Sequence, residues 1–294
     1  MLNRQRILVT GSTGQLGDEV VRAFGGRKVA ALSHDDISIE DARAVDQAME
    51  YHRPQLVVNA AAYHNVPACE RAPRAALRVN CTGVENLARA CAAGGAAFVT
   101  VSTDYVFDGT KGSPYTEADS PHPLNAYGRS KLAGEVVARA ACAQTYIVRT
   151  SGLFGPLGSR TKGYTFIDRI LGQAERGERI TVVDDMIFSP SYARHVAAAL
   201  RNVVDAGAPG TYHVVNGGFC SWYEFAREAL EQAGLRADLR PISSAAWTDG
   251  VLRPPNSSLD AAALRAAKLP ELPHWKQAVA DYLSQRKAER EVRA

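Results

Sequence analysis

The sequence predicts an α/β fold: a doubly wound parallel sheet followed by a smaller C-terminal α/β part. Three observations predict it. Apolar runs of five to seven residues alternate with Ala-rich helical stretches through the first 150 positions, the rhythm of a parallel sheet with helices on both faces. Glycines follow the first of these runs at once, as at a strand-to-helix turn. After residue 151 the rhythm loosens into shorter elements. A length of 294 residues suits about two such units. The expected division is 1–150 and 151–294, with a segment at about 186–215 returning to the first unit.

Each element has a local reason. Residues 6–10 (RILVT) are short, apolar and end in glycine, which fits a buried strand. A helix is expected over 15–24, a strand over 28–32, a helix over 41–51 and a strand over 56–60 (LVVNA). One long helix is expected over 72–93, stopped by Gly94 and Gly95. A strand at 96–102, a helix from Asn125 to about 141 and a strand at 145–150 complete the first unit. Beyond a Gly-rich loop at 151–163, helices are expected at 164–176, 192–205, 221–233 and 272–285, with strands at 179–183 and 211–215.

Composition excludes several classes of function. Lys plus Arg is 34 against 31 Asp plus Glu, a balance too even to mark a nucleic-acid partner. No apolar run approaches the ~18 residues of a membrane span, and the first run is too short for a secretory signal. Five cysteines (Cys69, Cys81, Cys91, Cys142, Cys220) are odd in number and show no CxxC spacing. Neither a disulfide framework nor a metal site is expected, and thiols in a reducing cytoplasm are.

The glycines after the first strand carry the first chemical signal. Gly11, Gly14 and Gly17 recur at spacing three within GSTGQLG. They open a helix whose N-terminal N–H groups would face a pyrophosphate, which makes the fold Rossmann-like. Gly11, Thr13, Gly14, Gln15, Leu16 and Gly17 are therefore candidate dinucleotide contacts. An acidic residue after the second strand would hold a ribose 2′-OH, and a basic one a 2′-phosphate. Ser33 and His34 are neither, and Asp36 either lies near adenine or caps a helix. NADPH or NADH is expected, with NADPH slightly favoured. Ala60, Ala61 and Ala62 end the third strand with side chains small enough for a cofactor to lie against the backbone.

Tyr127 and Lys131 stand at i and i+4 in YGRSK, on one face of a helix. An isolated phenol has a pKa of about 10, and a nearby ammonium is expected to lower it. Upstream, the fourth strand ends in Ser102-Thr103-Asp104, and ligands of such sheets bind at the carboxyl ends of strands. A glycine nest, a strand-end hydroxyl and this Tyr–Lys pair describe a hydride-transfer site in which Tyr127 gives a proton to a carbonyl oxygen.

With these motifs the chain resembles the extended short-chain dehydrogenase/reductase superfamily, and within it the dTDP-4-dehydrorhamnose reductase family. The resemblance rests on GSTGQLG (11–17), LVVNAAAY (56–63), RVNCTGVENLARA (78–90), the block at 101–135, VRTSGLFG (148–155), GTYHVVNGGFCSW (210–222) and RPPNSSL (253–259). It implies Thr103, Tyr127 and Lys131 as the catalytic set, adds Asn80, Tyr127 and Lys131 to the cofactor contacts, and implies a nucleotide-linked 4-keto-6-deoxyhexose as substrate. The implied substrate contacts are His64, Val66, Thr103, Asp104, Gly152, Phe188, Arg253 and Asn256. Arg253 would fork onto a pyrophosphate, the alternative being a structural salt bridge. Trp222 and Tyr212 are read as packing. Mg²⁺ enters by resemblance alone, and a homodimer is left open.

The chain departs from the family pattern near the sugar. Gly152 stands where a Trp is expected, His64 where a Thr is, and the segment 185–191 reads DMIFSPS. A rebuilt pocket is expected, with Phe188 or His64 in the volume above Gly152, and with it a changed sugar preference. Two other readings stay open: a nucleotide-sugar epimerase or dehydratase, and a dinucleotide-binding regulatory subunit resembling the β subunit of methionine adenosyltransferase.

Overall fold

The computed structural model describes residues 6–158, 163–246 and 249–293. Part of the expected loop at 151–163 lies outside them. Six parallel strands form the central sheet: β1 (Arg6–Thr10), β2 (Lys28–Leu32), β3 (Leu56–Asn59), β4 (Ala97–Thr103), β5 (Thr145–Thr150) and β6 (Gly210–His213). Their order is β6-β5-β4-β3-β1-β2. The direction of winding reverses between β1 and β3, and such a reversal opens a crevice at the carboxyl ends. β3 and β5 are buried at every position, which is why they read as continuous apolar runs and not as alternation.

Among the described residues eight longer helices flank this sheet and the C-terminal part. They are α1 (Gln15–Ala23), α2 (Ala42–His52), α3 (Val84–Gly94), α4 (Ala126–Ala141), α5 (Phe166–Glu175), α6 (Ala193–Ala206), α7 (Trp222–Gln232) and α8 (Trp275–Arg293). Leu16 and Val20 of α1 and Val196, Leu200 and Val203 of α6 bury one face of the sheet with Val9 and Val58. Val45, Leu87, Cys91 and Ala138, from α2, α3 and α4, bury the other with Val57 and Phe98. The C-terminal elements gather a further apolar cluster that includes Phe154, Ile170, Phe188, Phe225, Trp275 and Tyr282.

The long helix expected over 72–93 is three pieces, with a further short helix before it. Val66–Arg71 and Pro73–Leu77 are short helices, Arg78–Gly83 is a wider π turn, and α3 follows. Pro67 and Pro73 lie in the first turns of the two short helices, where a missing N–H costs nothing and a preceding helix must stop. The helix expected over 272–285 starts three residues later and runs on to Arg293. Several strands of two to four residues, such as Ile187–Phe188 against Cys220–Ser221, are too short to leave a periodicity in sequence.

One buried ion pair ties α4 to the sheet. Arg149 forks onto Glu135, Nε to Oε1 at 2.8 Å and Nη2 to Oε2 at 2.7 Å, with side-chain exposures of 3% and 0%. Ser102 adds a hydroxyl hydrogen bond to the same carboxylate at 2.6 Å. His213 sits next in line, its Nε2 3.5 Å from Arg149 Nη1 and its Nδ1 3.0 Å from the carbonyls of Tyr115 and Asp260. Burial first, and the Arg149 charge second, push the imidazole down to about 3, so it is neutral at ordinary pH with the proton on Nδ1.

Candidate active site

A cleft of about 670 Å³ runs along the carboxyl ends of the strands, lined among others by Gly11, Gly14, Ala61, Thr103, Tyr127 and Lys131. Two of its glycines are there because nothing larger fits. Gly11 has φ +69°, and a Cβ on it would lie 2.6 Å from the Ala61 nitrogen; one on Gly17 would lie 2.1 Å from the Gly11 carbonyl oxygen. The turn thus brings β1, β3 and the start of α1 into backbone contact. The N-terminus of α1 is left facing the cleft, where an anionic phosphate is favoured by the helix dipole and by N–H groups. Thr13, Gln15 and Leu16 line the same wall, as do Ala60 and Ala62. At the other end the Thr150 hydroxyl lines the cleft, buried and without a hydrogen-bond partner among the described residues. A glycine cradle at one end and an unsatisfied hydroxyl at the other fit a dinucleotide.

The adenosine end departs from one expectation. Ser33 and His34 line the cleft, but the Asp36 carboxylate turns back and accepts the Ser33 N–H at 2.8 Å and its hydroxyl at 2.6 Å. Those two hydrogen bonds hold its pKa below the ordinary value. Asp36 braces its own loop, and the side chain that caps α2 is Asp41. With Asp36 committed to Ser33, the carboxylate that lines this stretch of the cleft is Glu40, itself paired with Arg78 at 3.2 Å, and no arginine is among the described lining residues. NADPH and NADH are therefore expected to be used within about tenfold of each other in kcat/KM, about 1.4 kcal/mol. Steady-state kinetics with both cofactors check this, and an NADH preference above tenfold would mean that a carboxylate reaches the 2′-OH after all.

Asn80 departs as well. It is fully buried in the π turn, accepting the Tyr63 N–H at 2.9 Å and donating to the Tyr63 carbonyl at 3.0 Å and the Ser130 hydroxyl at 2.9 Å. Its amide is spent on holding the segment after β3 against α4.

Thr103, Tyr127 and Lys131 converge where the cleft meets a second cavity of about 180 Å³, and Thr103 and Tyr127 line both. α4 places the tyrosine and lysine one turn apart, its start fixed by Asn125, which accepts the Gly128 N–H at 2.9 Å. The Tyr127 ring packs edge-on to Tyr105. Burial drives the Tyr127 phenol well above the usual range, the Thr103 hydroxyl acting weakly the other way. The lowering expected from a nearby ammonium does not appear: burial of the phenol sets the direction, and Asp104, Cys69 and Tyr105 push the same way. The strain falls instead on Lys131, whose ammonium is brought down to about 8 by burial, with the Glu135 charge opposing.

Asp104 is buried between three hydroxyls, Thr103 at 2.9 Å, Ser151 at 2.8 Å and Ser257 at 2.6 Å, all donating to it. Burial raises its pKa despite them. These hydrogen bonds join the ends of β4 and β5 to a segment some 150 residues away. Neither Ser151 nor Ser257 carries a signal in sequence that points to Asp104.

Val66, Asp104, Gly152 and Phe188 line the smaller cavity, and so does Trp222. Trp222 stacks on Phe188 with ring centroids 3.9 Å apart and planes 12° apart, so it is more than packing. Tyr212 does pack, donating to the Ala208 carbonyl. The volume above Gly152 is taken by Phe188, as expected, and not by His64. His64 is exposed on the wall of the larger cleft, because Asn65 starts a short helix there and carries the chain away.

Arg253 and Asn256 are the remaining corrections. Arg253 is gripped by both Asp249 carboxylate oxygens, at 2.7 and 2.6 Å, and also donates to the Val251 carbonyl. It is not among the residues lining either cavity, and Asp249 is a partner of the kind the salt-bridge alternative named. Asn256 turns its side-chain oxygen onto the Ser258 N–H and hydroxyl and bridges Ile187 through its backbone. Among the described residues no group of three or more His, Cys, Asp or Glu side chains converges, and no helix is long and apolar enough to cross a membrane.

Comparisons agree with this geometry. The family described as the RmlD substrate binding domain matches residues 5–288. The spore coat polysaccharide biosynthesis protein SpsK of Bacillus subtilis is 36% identical over 96% of this chain and 98% of its own. A dTDP-4-dehydrorhamnose reductase of Streptomyces griseus is 38% identical over 95% and 93%. A crystal structure of dTDP-4-dehydrorhamnose reductase from Bacillus anthracis in complex with NADP superposes with a TM-score of 0.92 at 30% identity, covering 96% of this chain and 99% of that one. On its cleft geometry and on these full-length matches, the chain belongs to the RmlD substrate binding domain family.

Proposed function

We propose that the protein is an NAD(P)H-dependent oxidoreductase that reduces the 4-keto group of a nucleotide-linked 6-deoxyhexose, dTDP-4-dehydrorhamnose or a close relative. The single observation that carries this reading is the position of Thr103 and Tyr127 in the walls of both cavities. A carbonyl held there faces the dinucleotide cleft on one side and the proton donor on the other. A bound reduced nicotinamide supplies the hydride to the carbonyl carbon. Everything else is done by side chains of this chain.

Tyr127 holds the proton. Its raised pKa keeps the phenol neutral through the physiological range, the state needed to donate to a carbonyl oxygen that is gaining charge. Thr103 gives its own proton to Asp104 at 2.9 Å, which leaves the threonine oxygen to accept and orient. As the proton leaves, the Lys131 ammonium, one turn along α4, stabilises the phenolate. Lys131 must therefore be charged. It is so below about 8 and loses its proton above. The reductive kcat/KM is expected to be level below pH 8 and to fall by up to about tenfold per pH unit above it. A profile flat to pH 10 would remove Lys131 from this role.

The five cysteines are all unbridged thiols, which supports a cytoplasmic setting. The test of the function is a panel of dTDP-linked 4-keto sugars assayed by loss of NADPH absorbance. Stoichiometric consumption of NADPH with formation of the 4-hydroxy sugar is expected. Conversion of the sugar without net NADPH loss would mean an epimerase or dehydratase instead.

A further inference from the structure

The smaller cavity contains a feature that the reduction itself does not require. Gly152 has φ +49°, and a Cβ built on it would lie 2.2 Å from Phe188 Cε2 and 2.3 Å from Cδ2. Those separations are far inside contact distance, so the ring occupies the space a side chain at 152 would need. Phe188 is not easily displaced. It is 3% exposed and stacked on Trp222. Its strand is held on one edge by Cys220–Ser221 and on the other through Ile187, which donates to the Pro255 carbonyl at 2.8 Å and accepts the Ser257 N–H at 2.9 Å.

The ring is therefore a fixed wall. It stands in a cavity whose other end is Thr103, Asp104 and Tyr127, and Val66, Met186 and Pro254 continue its apolar surface. We propose that Gly152 and Phe188 form a reciprocal specificity pair, in which the glycine makes room for a ring that, with Trp222, faces the carbon substituent beside the reduced carbonyl. This rests on the reductase reading above. With the C4 carbonyl at Tyr127, the neighbouring ring carbon C5 bears C6, and in a cavity of about 180 Å³ that substituent has to meet the wall. An apolar wall accepts a methyl and leaves a hydroxyl without a partner. The pair thus selects 6-deoxy over 6-hydroxy 4-keto sugars, by the 10- to 100-fold typical of an apolar site facing one extra hydroxyl.

The experiment compares wild type, Gly152→Ala, Phe188→Ala and the double variant on a dTDP-4-keto-6-deoxyhexose and its 6-hydroxy counterpart, with NADPH affinity measured alongside. Wild type is expected to prefer the deoxy sugar by at least about tenfold in kcat/KM, and Phe188→Ala to erase most of that preference. Gly152→Ala alone is expected to raise KM about tenfold or more for the deoxy sugar, and to do far less in the Phe188→Ala background, because contacting residues are non-additive. NADPH affinity is expected to be unchanged throughout. If Phe188→Ala loses NADPH binding and so its fold, Phe188→Leu takes its place for the coupling alone: it keeps the wall apolar and removes the ring from above Gly152, so Gly152→Ala is expected to cost far less in that background. Additive effects, or an unchanged sugar preference in a folded Phe188→Ala, would overturn the pair while leaving the reductase intact. A wild type that reduces neither sugar would overturn the reductase reading, and the pair with it.

Discussion

Tyr127→Phe is expected to lower turnover by about 10²–10⁴, the usual worth of a general acid, with NADPH affinity nearly unchanged. The phenol is the group in the convergent set that keeps a proton free to donate to the carbonyl oxygen. Thr103 has spent its hydrogen on Asp104, and Lys131 is needed as a charge. Removing one oxygen leaves the ring, its edge contact with Tyr105 and the start of α4 in place, so the loss falls on kcat more than on KM. Single-turnover reduction of the sugar with pre-bound NADPH is the measurement. A variant that keeps more than about a tenth of wild-type turnover would sink the assignment, since that range is accessible to a water molecule in the same position.

Arg149→Met carries the second large effect, on stability. The guanidinium and the Glu135 carboxylate are both removed from solvent, and taking away Arg149 leaves a buried charge with the Ser102 hydroxyl and, at 3.6 Å, the half-exposed Arg139 guanidinium beside it. A loss of about 3–5 kcal/mol is expected, a large share of a domain's margin. Restoring balance by also replacing the acid, in Glu135→Leu/Arg149→Met, is expected to recover most of it, because an apolar pair of similar volume removes the desolvation penalty. Urea unfolding of the three proteins checks this. A double variant no more stable than the single one would show that the pair holds α4 on the sheet through its geometry and not through its charge balance.

Much of the fold is legible in sequence because its causes are local. The inner strands of the main sheet, β1, β3, β4 and β5, are buried along nearly all their length, so their apolar runs are unbroken. Gly11 and Gly17 are glycines because backbone sits within 3 Å of any Cβ placed there. Tyr127 and Lys131 are one helical turn apart by arithmetic alone. What sequence misses is decided between distant segments. Asp36 reads as an adenine neighbour or a helix cap until Ser33 is seen to claim it, and Arg253 as a phosphate ligand or a salt-bridge partner until Asp249 is seen beside it. The overlap of Gly152 with Phe188 joins two positions in different loops, and only the geometry says which aromatic fills which gap. Trp222 reads as packing because a residue that both packs and lines a cavity looks the same from its neighbours.

The clasp around Asp104 also bears on how the chain opens. Residues 255–259 have little regular secondary structure, yet the Ser257 N–H is bonded to the Ile187 carbonyl, the Leu259 N–H to the Ser189 hydroxyl, and the Ser258 carbonyl receives the Tyr115 N–H. The Ser257 hydroxyl is anchored on the buried Asp104 carboxylate just past the end of β4. For this stretch to detach, a buried acid would have to give up one of its donors and water would have to reach the ends of β4 and β5. Amide hydrogens that a secondary-structure diagram would assign to a fast-exchanging connection would then exchange as slowly as those of the central strands, because both are released by the same cooperative unfolding event.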